Sequence, residues 1–194
     1  MVKYPHTYNK LKELADIPES EWLHLEQFFT PMTFKKGDHI VRAGDTSENM
    51  YFILSGLTRS YYIDQEGKEF NKIFLAEGEV ACAYVEILMG VPARLNIQAL
   101  EKVEALAINF KHVHDMYERH QCWNEVGRKI AEQFFIIKEQ REYEFLLLEA
   151  KDRYQNFITD YGHIVDRIPQ YHIAAYLGIT PVSLSRIINA SKDS

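Results

Sequence analysis

The chain has 194 residues, a formal net charge of −6, a hydrophobic fraction of 46% and a charged fraction of 26%. This balance is that of an ordinary soluble protein, and the acidic charge argues against a protein that coats nucleic acid through a broad basic surface. The sequence has neither an apolar run of about 20 residues, which a membrane helix needs, nor a signal peptide at its start, so we expect a cytoplasmic protein without a membrane partner.

Short helices and then closely spaced strands are predicted for the first half of the chain. Apolar residues over positions 9–29 recur at helical spacing, and Pro18 opens the second of two short helices. Over residues 33–108, short β-rich segments alternate with turn signals, and the polar segment 64–68 predicts a hairpin turn. This alternation is typical of a small antiparallel sandwich or jelly roll, which together with the helices predicts an α+β fold.

A helical stripe follows from Lys111 onward. Its apolar residues are spaced by three or four positions: Trp123, Val126, Ile130, Phe134 and Ile137. Such a stripe packs against a second helix, either within one chain or between two copies, and its place between a β domain and a C-terminal helix pair favours a dimer interface. The polar segment 140–142 interrupts the stripe and predicts a hinge before a further helix over residues 145–161.

The segment 168–188 predicts two short helices joined by a tight turn. Ile173 and Leu177 share one helix face, and Gly178 follows where the chain must reverse through positive φ, which glycine adopts without a Cβ clash. Thr180 supplies an N-cap oxygen, and Pro181 fits the first helical position, where no N–H is needed. The spacing is that of a helix-turn-helix, although an ordinary helical hairpin in a globular core has the same pattern.

The second of these helices has an apolar and a polar face. Leu184, Ile187 and Ile188 recur at intervals of three and four and face the first helix. Little sequence follows them, so we expect no winged strands behind the motif. The candidate DNA-binding residues are Thr180, Val182, Ser183, Ser185 and Arg186.

Three segments, in this order, resemble the Crp-Fnr family of transcription regulators. Residues 34–45, with Phe-Lys-Lys-Gly-Asp-His-Ile and then Ala-Gly-Asp, resemble the opening of its cyclic-nucleotide-binding-type sandwich. Met-Tyr-Phe-Ile-Leu-Ser-Gly at 50–56 resembles the central strand and turn. Ala-Ala-Tyr-Leu-Gly-Ile-Thr at 174–180, with Leu-Ser-Arg at 184–186, resembles the DNA-reading unit. The resemblance covers nearly the whole chain.

The resemblance implies a regulator in three parts. A cyclic-nucleotide-binding-like jelly-roll sensor domain with N-terminal helices is expected over residues 1–110, a long dimerisation helix over 111–140 and a helix-turn-helix domain over 141–194. The implied partners are double-stranded DNA and a second copy of the chain, with RNA polymerase as a further partner. The alternative is a regulatory or scaffolding protein that keeps this fold without binding DNA, which the acidic charge favours.

The usual contacts to cyclic AMP are missing from the sequence. Family members that bind it carry Gly-Glu-x-Phe-Gly-Glu, whose second Glu holds the ribose, and further along Arg-Ser/Thr-Ala, whose Arg pairs with the phosphate. In a gapless alignment the second Gly-Glu falls on Cys82 and Ala83, and the arginine falls on Ala93. Arg94 lies one residue away, which on a strand is the opposite face.

We therefore expect a sensor domain with a different, unknown effector and an unassigned cofactor. Its pocket is expected to be filled by Tyr84, Leu88 or Leu95 or to accept a more apolar molecule, with Glu86 as a solvated surface carboxylate. The effector-pocket candidates are Gly78, Glu79, Cys82, Ala83, Tyr84, Ala93 and Arg94.

The recognition helix also departs from the best-known family pattern. Members that read a TGTGA-like half-site have Arg and Glu at its first exposed positions, where this chain has Pro181 and Val182. Arg186 matches the later arginine of that pattern. Because Arg to guanine and Glu to cytosine are strong base contacts, we expect a different half-site.

Metal and enzyme chemistry are not predicted. Cys82 and Cys122 are far apart in sequence and indicate neither a disulfide framework nor an iron-sulfur cluster, and the early histidines match a haem ligand by residue type alone. A cupin-type enzyme needs two His spaced by one residue on a strand; residues 112–114 have this spacing in a helical segment, where the side chains diverge. No nucleophile elbow, phosphate-binding glycine loop or HExxH motif is present, so we expect no enzyme.

Overall fold

Eight strands form the centre of the structure, a computed structural model that describes residues 1–192. They are β1 (Thr30–Phe34), β2 (His39–Val41), β3 (Asn49–Ser55), β4 (Thr58–Ile63), β5 (Glu69–Leu75), β6 (Val80–Ala81), β7 (Asn96–Ala99) and β8 (Val103–Asn109). One antiparallel sheet has the order β1-β8-β3-β6, and the other has the order β2-β7-β4-β5. The predicted antiparallel sandwich within an α+β fold is confirmed.

Helices precede, interrupt and follow the sandwich. They are α1 (Pro5–Lys12), α2 (Glu19–Glu26), α3 (Tyr84–Met89), α4 (Phe110–Arg119), α5 (Gln121–Leu147), α6 (Ala150–Tyr161), α7 (Gln170–Leu177) and α8 (Pro181–Lys192). A 3₁₀ turn, Val165–Arg167, lies between α6 and α7. Two helices, α4 and α5, therefore occupy the region predicted as one dimerisation helix.

The apolar core lies between the sheets and under the first two helices. Ile53 of β3 is 1% exposed, Leu106 of β8 is fully buried, and Trp22 of α2 is fully buried in the same cluster as Leu106. Burial of such a side chain contributes about 1.5–3 kcal/mol. Gly56 follows β3 with a φ of +97°, and a Cβ there would lie 2.3 Å from the carbonyl oxygen of Lys102, so this turn requires glycine.

The hairpin turn predicted at residues 64–68 joins β4 to β5. Oδ1 of Asp64 accepts hydrogen bonds from the backbone N–H groups of Glu66 and Lys68, both at 2.9 Å. This is the Asx-turn chemistry that makes aspartate favourable before a tight turn. The polar side chain thus sets the position of the hairpin.

One residue of β5 is a β-bulge. The two strands of the hairpin pair Ser60 with Ile73. The next residue of β4, Tyr61, pairs with Asn71, so Lys72 is an extra residue in β5. Because alternate residues of a regular strand share a face, the bulge allows Asn71 to face α7 while Ile73 faces α5.

The helices after the sandwich differ from the prediction at two places. The predicted helix over 111–140 is broken at His120, whose Nδ1 accepts from the N–H of Cys122 at 3.2 Å and caps α5. The hinge predicted at 140–142 is wrong, because α5 continues to Leu147. Gln140 donates to the buried carboxylate of Glu144 at 3.1 Å and so supports the helix. The boundary predicted at 140/141 falls inside α5, and positions 193 and 194 of the predicted third domain lie outside the described residues.

The C-terminal helices share an apolar core with the sandwich. Phe157 of α6, Leu177 of α7 and Leu184 of α8 belong to one buried cluster. Leu57 and Phe74 of the sandwich complete that cluster, and the ring of Phe74 contacts Phe157 edge to face with centroids 6.1 Å apart. The last helices are therefore packed directly on the β domain.

Within residues 1–192, no single helix is both long and apolar enough to cross a membrane. Helices α7 and α8 meet the length and composition limits only when they are taken together as a bent pair. The inward side chains of α7 belong to the apolar core shared with the sandwich.

Candidate functional site

A cavity of about 430 Å³ lies between the sandwich and α5. Strands β4 to β6 and helix α3 contribute one side, and α5 contributes the other. Its walls are mainly apolar and include Ile73, Leu75, Val80, Leu95, Phe134 and Phe145. A concave, apolar space of this size suits a small organic molecule.

Glu86 of α3 is a buried carboxylate in the wall of this cavity. Its side chain is 3% exposed, and its Oε1 accepts a hydrogen bond at 2.8 Å from Nε of Arg94. The prediction that Glu86 is a solvated surface carboxylate is therefore wrong, because the short helix α3 turns it inward. Arg94 itself has a side chain that is 64% exposed, and its Nε is held by Glu86.

Two of the predicted pocket residues, Cys82 and Tyr84, line the cavity. Burial raises the pKa of the Cys82 thiol to about 12, so the thiol is uncharged at neutral pH. Leu95, one of the residues expected to fill the pocket, also lines it. Leu88 does not, since it is 58% exposed at the surface of α3.

The remaining pocket candidates lie elsewhere. Gly78 and Glu79 line a neighbouring cavity of about 310 Å³. Ala83 is fully buried and Ala93 is 3% exposed, both inside the core of the sandwich. These two alanines were predicted as pocket residues, but they pack against the core and offer a ligand no polar group.

The apolar stripe of α5 is divided between the core of the chain and its surface. Trp123 and Val126 are 4% and 6% exposed and pack with α1, α2 and the sandwich. Their predicted place in a dimer interface is wrong for this reason. Ile130 packs partly against the same cluster, Phe134 lines the cavity, and Ile137 is 44% exposed.

The exposed apolar surface of α5 continues beyond this stripe. Its large side chains are Phe135 (61% exposed), Ile136 (64%), Tyr143 (51%), Leu146 (73%) and Leu147 (70%). Ile136 and Tyr143 are one heptad apart, which is the spacing of residues that meet a second helix. Exposed apolar side chains of this kind are typical of surfaces that contact a partner.

Helices α7 and α8 have the geometry of a helix-turn-helix. Their axes differ in direction by 97°, within the range of about 90–120° found for this motif. Gly178 ends α7 with a φ of 70°, as its position in the sequence predicts. Oγ1 of Thr180 accepts from the N–H of Ser183 at 3.1 Å and is the N-cap of α8, while Leu184 is fully buried.

The predicted DNA-binding residues differ in exposure. Val182 is 63% exposed, and Ser185 and Arg186 are exposed beside it. Because residues three and four apart share a helix face, these three form one solvent-facing surface. Thr180 uses its hydroxyl as the cap, and the half-buried Ser183 places its Oγ 3.0 Å from that hydroxyl. The side chains of Thr180 and Ser183 therefore shape the turn that precedes α8.

Polar contacts between the sandwich and α7 were not found by sequence reasoning. Arg59 of β4 is 3% exposed, and its Nη1 lies 3.0 Å from Nδ1 of His172 in α7. A guanidinium only donates, so Nδ1 accepts and the imidazole is neutral. Burial, and then the charge of Arg59, lower the pKa of His172 to about 4. In the sequence, the signal for this contact is the charged residue Arg59 within a β-rich segment.

Arg141 of α5 connects the cavity to α7. It lines the cavity, and its Nη2 donates to the carbonyl oxygens of Asn71 at 3.0 Å and Tyr176 at 2.5 Å. Its guanidinium carbon also lies 3.6 Å from the centroid of the Tyr176 ring. Arg141 therefore contacts the cavity, the bulged strand and the first helix of the helix-turn-helix.

Two further arginines of the C-terminal part bind acceptors within the chain. Arg167 forms ion pairs with Glu77 at 2.9 Å and Glu101 at 2.5 Å, and it lowers the pKa of Glu77 to about 2. Arg153 donates to the carbonyl oxygens of Leu148 and Leu177. These guanidinium groups tie the C-terminal helices to each other and to the sandwich.

Across residues 1–192, no group of three or more His, Cys, Asp or Glu side chains is placed to hold a metal ion. His112 and His114, which have cupin-like spacing, lie on α4. The ring of His112 stacks on Phe28 with centroids 4.1 Å apart, and His114 contacts the rings of its helix neighbours.

Comparison with known proteins identifies the β domain and the overall architecture. Residues 31–120 match the family model described as cyclic nucleotide-binding domain. None of the curated proteins matches the chain. Among solved structures, a CooA mutant from Carboxydothermus hydrogenoformans is similar, with a TM-score of 0.72 and 18% identity over 93% of this chain and 86% of that chain.

Two further solved structures are similar over most of their length. FixK2 from Bradyrhizobium japonicum has a TM-score of 0.68 and 20% identity over 84% of this chain and 83% of that chain. A putative transcriptional regulator of the crp/fnr family from Eubacterium rectale has a TM-score of 0.72 and 15% identity over 91% of this chain and 84% of that chain. At these identities the likeness establishes the fold alone.

Proposed function

Since the chain contains a cyclic nucleotide-binding domain and fits the Crp-Fnr family of regulators, we propose that it is a homodimeric, DNA-binding transcription regulator. We assign the sandwich with α1 to α4 as the sensor part, α5 as the connecting helix, and α6 to α8 as the DNA-binding part. A cytoplasmic location follows from this role. Contact with RNA polymerase stays a prediction from the family resemblance.

The observation that carries the proposal is the solvent-facing surface at the start of α8. Val182, Ser185 and Arg186 lie there together, while Leu184 anchors the helix in the core. In a helix-turn-helix, the N-terminal residues of the second helix contact base edges in the major groove. Arg186 suits a guanine or a phosphate, and Val182 suits a thymine methyl group.

The exposed apolar surface of α5 supports the dimer. Two recognition helices enter successive major grooves when they are about 34 Å apart, a spacing that the dimer axis sets. In our proposal, an effector in the cavity beside α5 shifts the equilibrium between arrangements of the two α5 helices. The spacing of the recognition helices then changes with the bound state.

We further propose that the sensor part does not bind cyclic AMP through the usual contacts. The positions of the two family anchors are the buried Ala83 and Ala93, and Arg94 is engaged by Glu86. Each lost charge-assisted contact removes about 1.5–3 kcal/mol of binding. Calorimetry with cyclic AMP is expected to show no micromolar binding, and a micromolar dissociation constant would overturn this part of the proposal.

A second candidate function is a regulatory or scaffolding protein that does not bind DNA. The use of Arg141, Arg153 and Arg167 in contacts within the chain favours it, because those side chains are engaged away from phosphates. The net charge of −6 acts in the same direction.

Selection from a random DNA library, followed by gel shifts with the full-length protein, separates the two functions. We expect an enriched palindrome, and we expect Arg186→Ala to weaken its binding by about 1–3 kcal/mol, or roughly fivefold to 150-fold. Arg42→Ala is the matched control, since Arg42 is an exposed arginine of the sandwich. If no sequence is enriched, the scaffolding function replaces the regulator; if Arg186→Ala binds like the control, α8 is not the reading helix.

A further inference from the structure

The cavity beside α5 contains two cations without a carboxylate partner. Lys72, the bulge residue of β5, and Arg141 of α5 both line it. Among residues 1–192, neither lies within 4.0 Å of a carboxylate oxygen in an ion pair, and Arg141 binds two neutral carbonyl groups instead. The carboxylates of the cavity, in contrast, already have counter-ions.

Those carboxylates are Glu86 and Glu142. Glu86 is paired with Arg94 at 2.8 Å, and Glu142 lies 3.9 Å from the ammonium of Lys138. A cationic ligand would therefore compete with partners that are already in place. An anionic ligand would instead meet the positive charges of Lys72 and Arg141, which have no carboxylate partner among the described residues. The electrostatics of the cavity therefore favour an anion.

The apolar part of the cavity wall determines which kind of molecule can carry the anionic group. Ile73, Leu75 and Val80 come from the sandwich, and Phe134 and Phe145 face them from α5. Apart from the charged residues, only Ser60, Cys82 and Tyr84 of the described part of the chain add polar side chains to this wall, so a hydroxyl-rich molecule such as a nucleotide finds few hydrogen-bond partners there. Aromatic rings and aliphatic chains fit such a wall through apolar and stacking contacts.

Combining these observations, we propose that the cavity binds an apolar organic carboxylate whose acid group is bound by Lys72 and Arg141. The inference rests on the proposed function in treating this cavity as the effector site. The ammonium of Lys72, which lies 6.0 Å from the centroid of the Tyr62 ring, supplies a point charge, whereas Arg141 supplies a planar donor fork already fixed by Asn71 and Tyr176. Because Arg141 also holds α7, binding of the acid group is communicated to the helix-turn-helix.

Calorimetry on the full-length protein with two matched probes tests this inference. Naphthalene-1-acetate carries the acid group, and naphthalene-1-ethanol presents the same ring system without charge; cyclic AMP is the third ligand. We expect the acid to bind at least tenfold more tightly than the alcohol and than cyclic AMP. Lys72→Gln is expected to weaken the acid about tenfold and to leave the affinity for the alcohol unchanged. Lys68→Gln is the control, since Lys68 lies on the same hairpin with its ammonium over Phe70.

Three results would overturn the inference: no binding of the acid, equal binding of acid and alcohol, or equal effects of the Lys72 and Lys68 substitutions. Tighter binding of cyclic AMP than of the acid would also overturn it. Operator binding by the ligand-free protein is measured on the same preparations. DNA binding without acid binding rejects the ligand class alone, whereas loss of both rejects the regulator proposal as well.

Discussion

Protonation of His172 tests how α7 is held on the sandwich. The residue is 4% exposed, and its pKa of about 4 compares with about 6.5 for histidine in an unfolded chain. Burial and the charge of Arg59 lower this pKa. The negative charge of Glu69 raises this pKa to a smaller extent; its carboxylate forms an ion pair with Arg59 of β4.

The direction of the pH effect follows from these two pKa values. Between pH 6.5 and pH 4 the unfolded chain binds more protons than the folded one, so the free energy of unfolding falls as the pH falls through this window. From pH 7 to pH 5, this group alone accounts for a loss of about 2 kcal/mol. Asparagine at this position keeps an acceptor oxygen near the place of Nδ1 but does not titrate.

Urea unfolding at pH 5, 6 and 7, followed by tryptophan fluorescence at one protein concentration, measures the effect. We expect the stability of His172→Asn relative to the parent protein to increase by about 2 kcal/mol from pH 7 to pH 5. His6→Asn is the control, because His6 is exposed on α1. Parallel pH profiles for the parent protein and His172→Asn would refute the conclusion that the imidazole is buried and neutral against Arg59.

Two other substitutions test the cap of α8 and the dimer. Thr180→Ala removes the cap and is expected to lower the free energy of unfolding by about 1 kcal/mol, with Thr180→Ser restoring it; equal stability of the alanine and serine variants in urea would contradict this. Ile136→Glu places a charge on the exposed surface of α5 and is expected to give a monomer in light scattering, while Val126→Ala lowers stability inside the chain and leaves a dimer. A monomeric parent protein, or a dimeric Ile136→Glu, would contradict the proposed interface.

Signals that act within a few residues allowed the turns to be predicted from sequence. Asp64 bonds the backbone of the next residues, and Thr180 bonds the N–H three positions later. Gly178 needs only its own φ of 70°. In each case the interaction lies within a single turn of the chain, so the neighbouring residues were enough to predict the turn.

Contacts between distant segments could not be predicted in the same way. The spacing of Trp123 and Val126 is the same whether a helix packs within its chain or against another, and only the positions of α1 and α2 decide between the two. Arg59 and His172 are 113 positions apart, and nothing local to either one indicates the other. In the sequence, the polar Gln140 suggests the end of a helix. In the structure, its side chain donates to Glu144 inside a continuous helix.

The bulge at Lys72 has a consequence for how such a chain can diverge. Neighbouring residues of β5 contact different parts of the structure: Asn71 is hydrogen-bonded to α7, and Ile73 lines the cavity. A substitution at Ile73 can therefore change the preferred small molecule while the docking of α7 is inherited intact. Deletion of Lys72 would make Asn71 and Ile73 successive residues of a regular strand, where they still point to opposite faces, so only the Lys72 side chain would be lost from the cavity. The inserted residue thus adds a side chain to the cavity while its two neighbours keep their separate contacts.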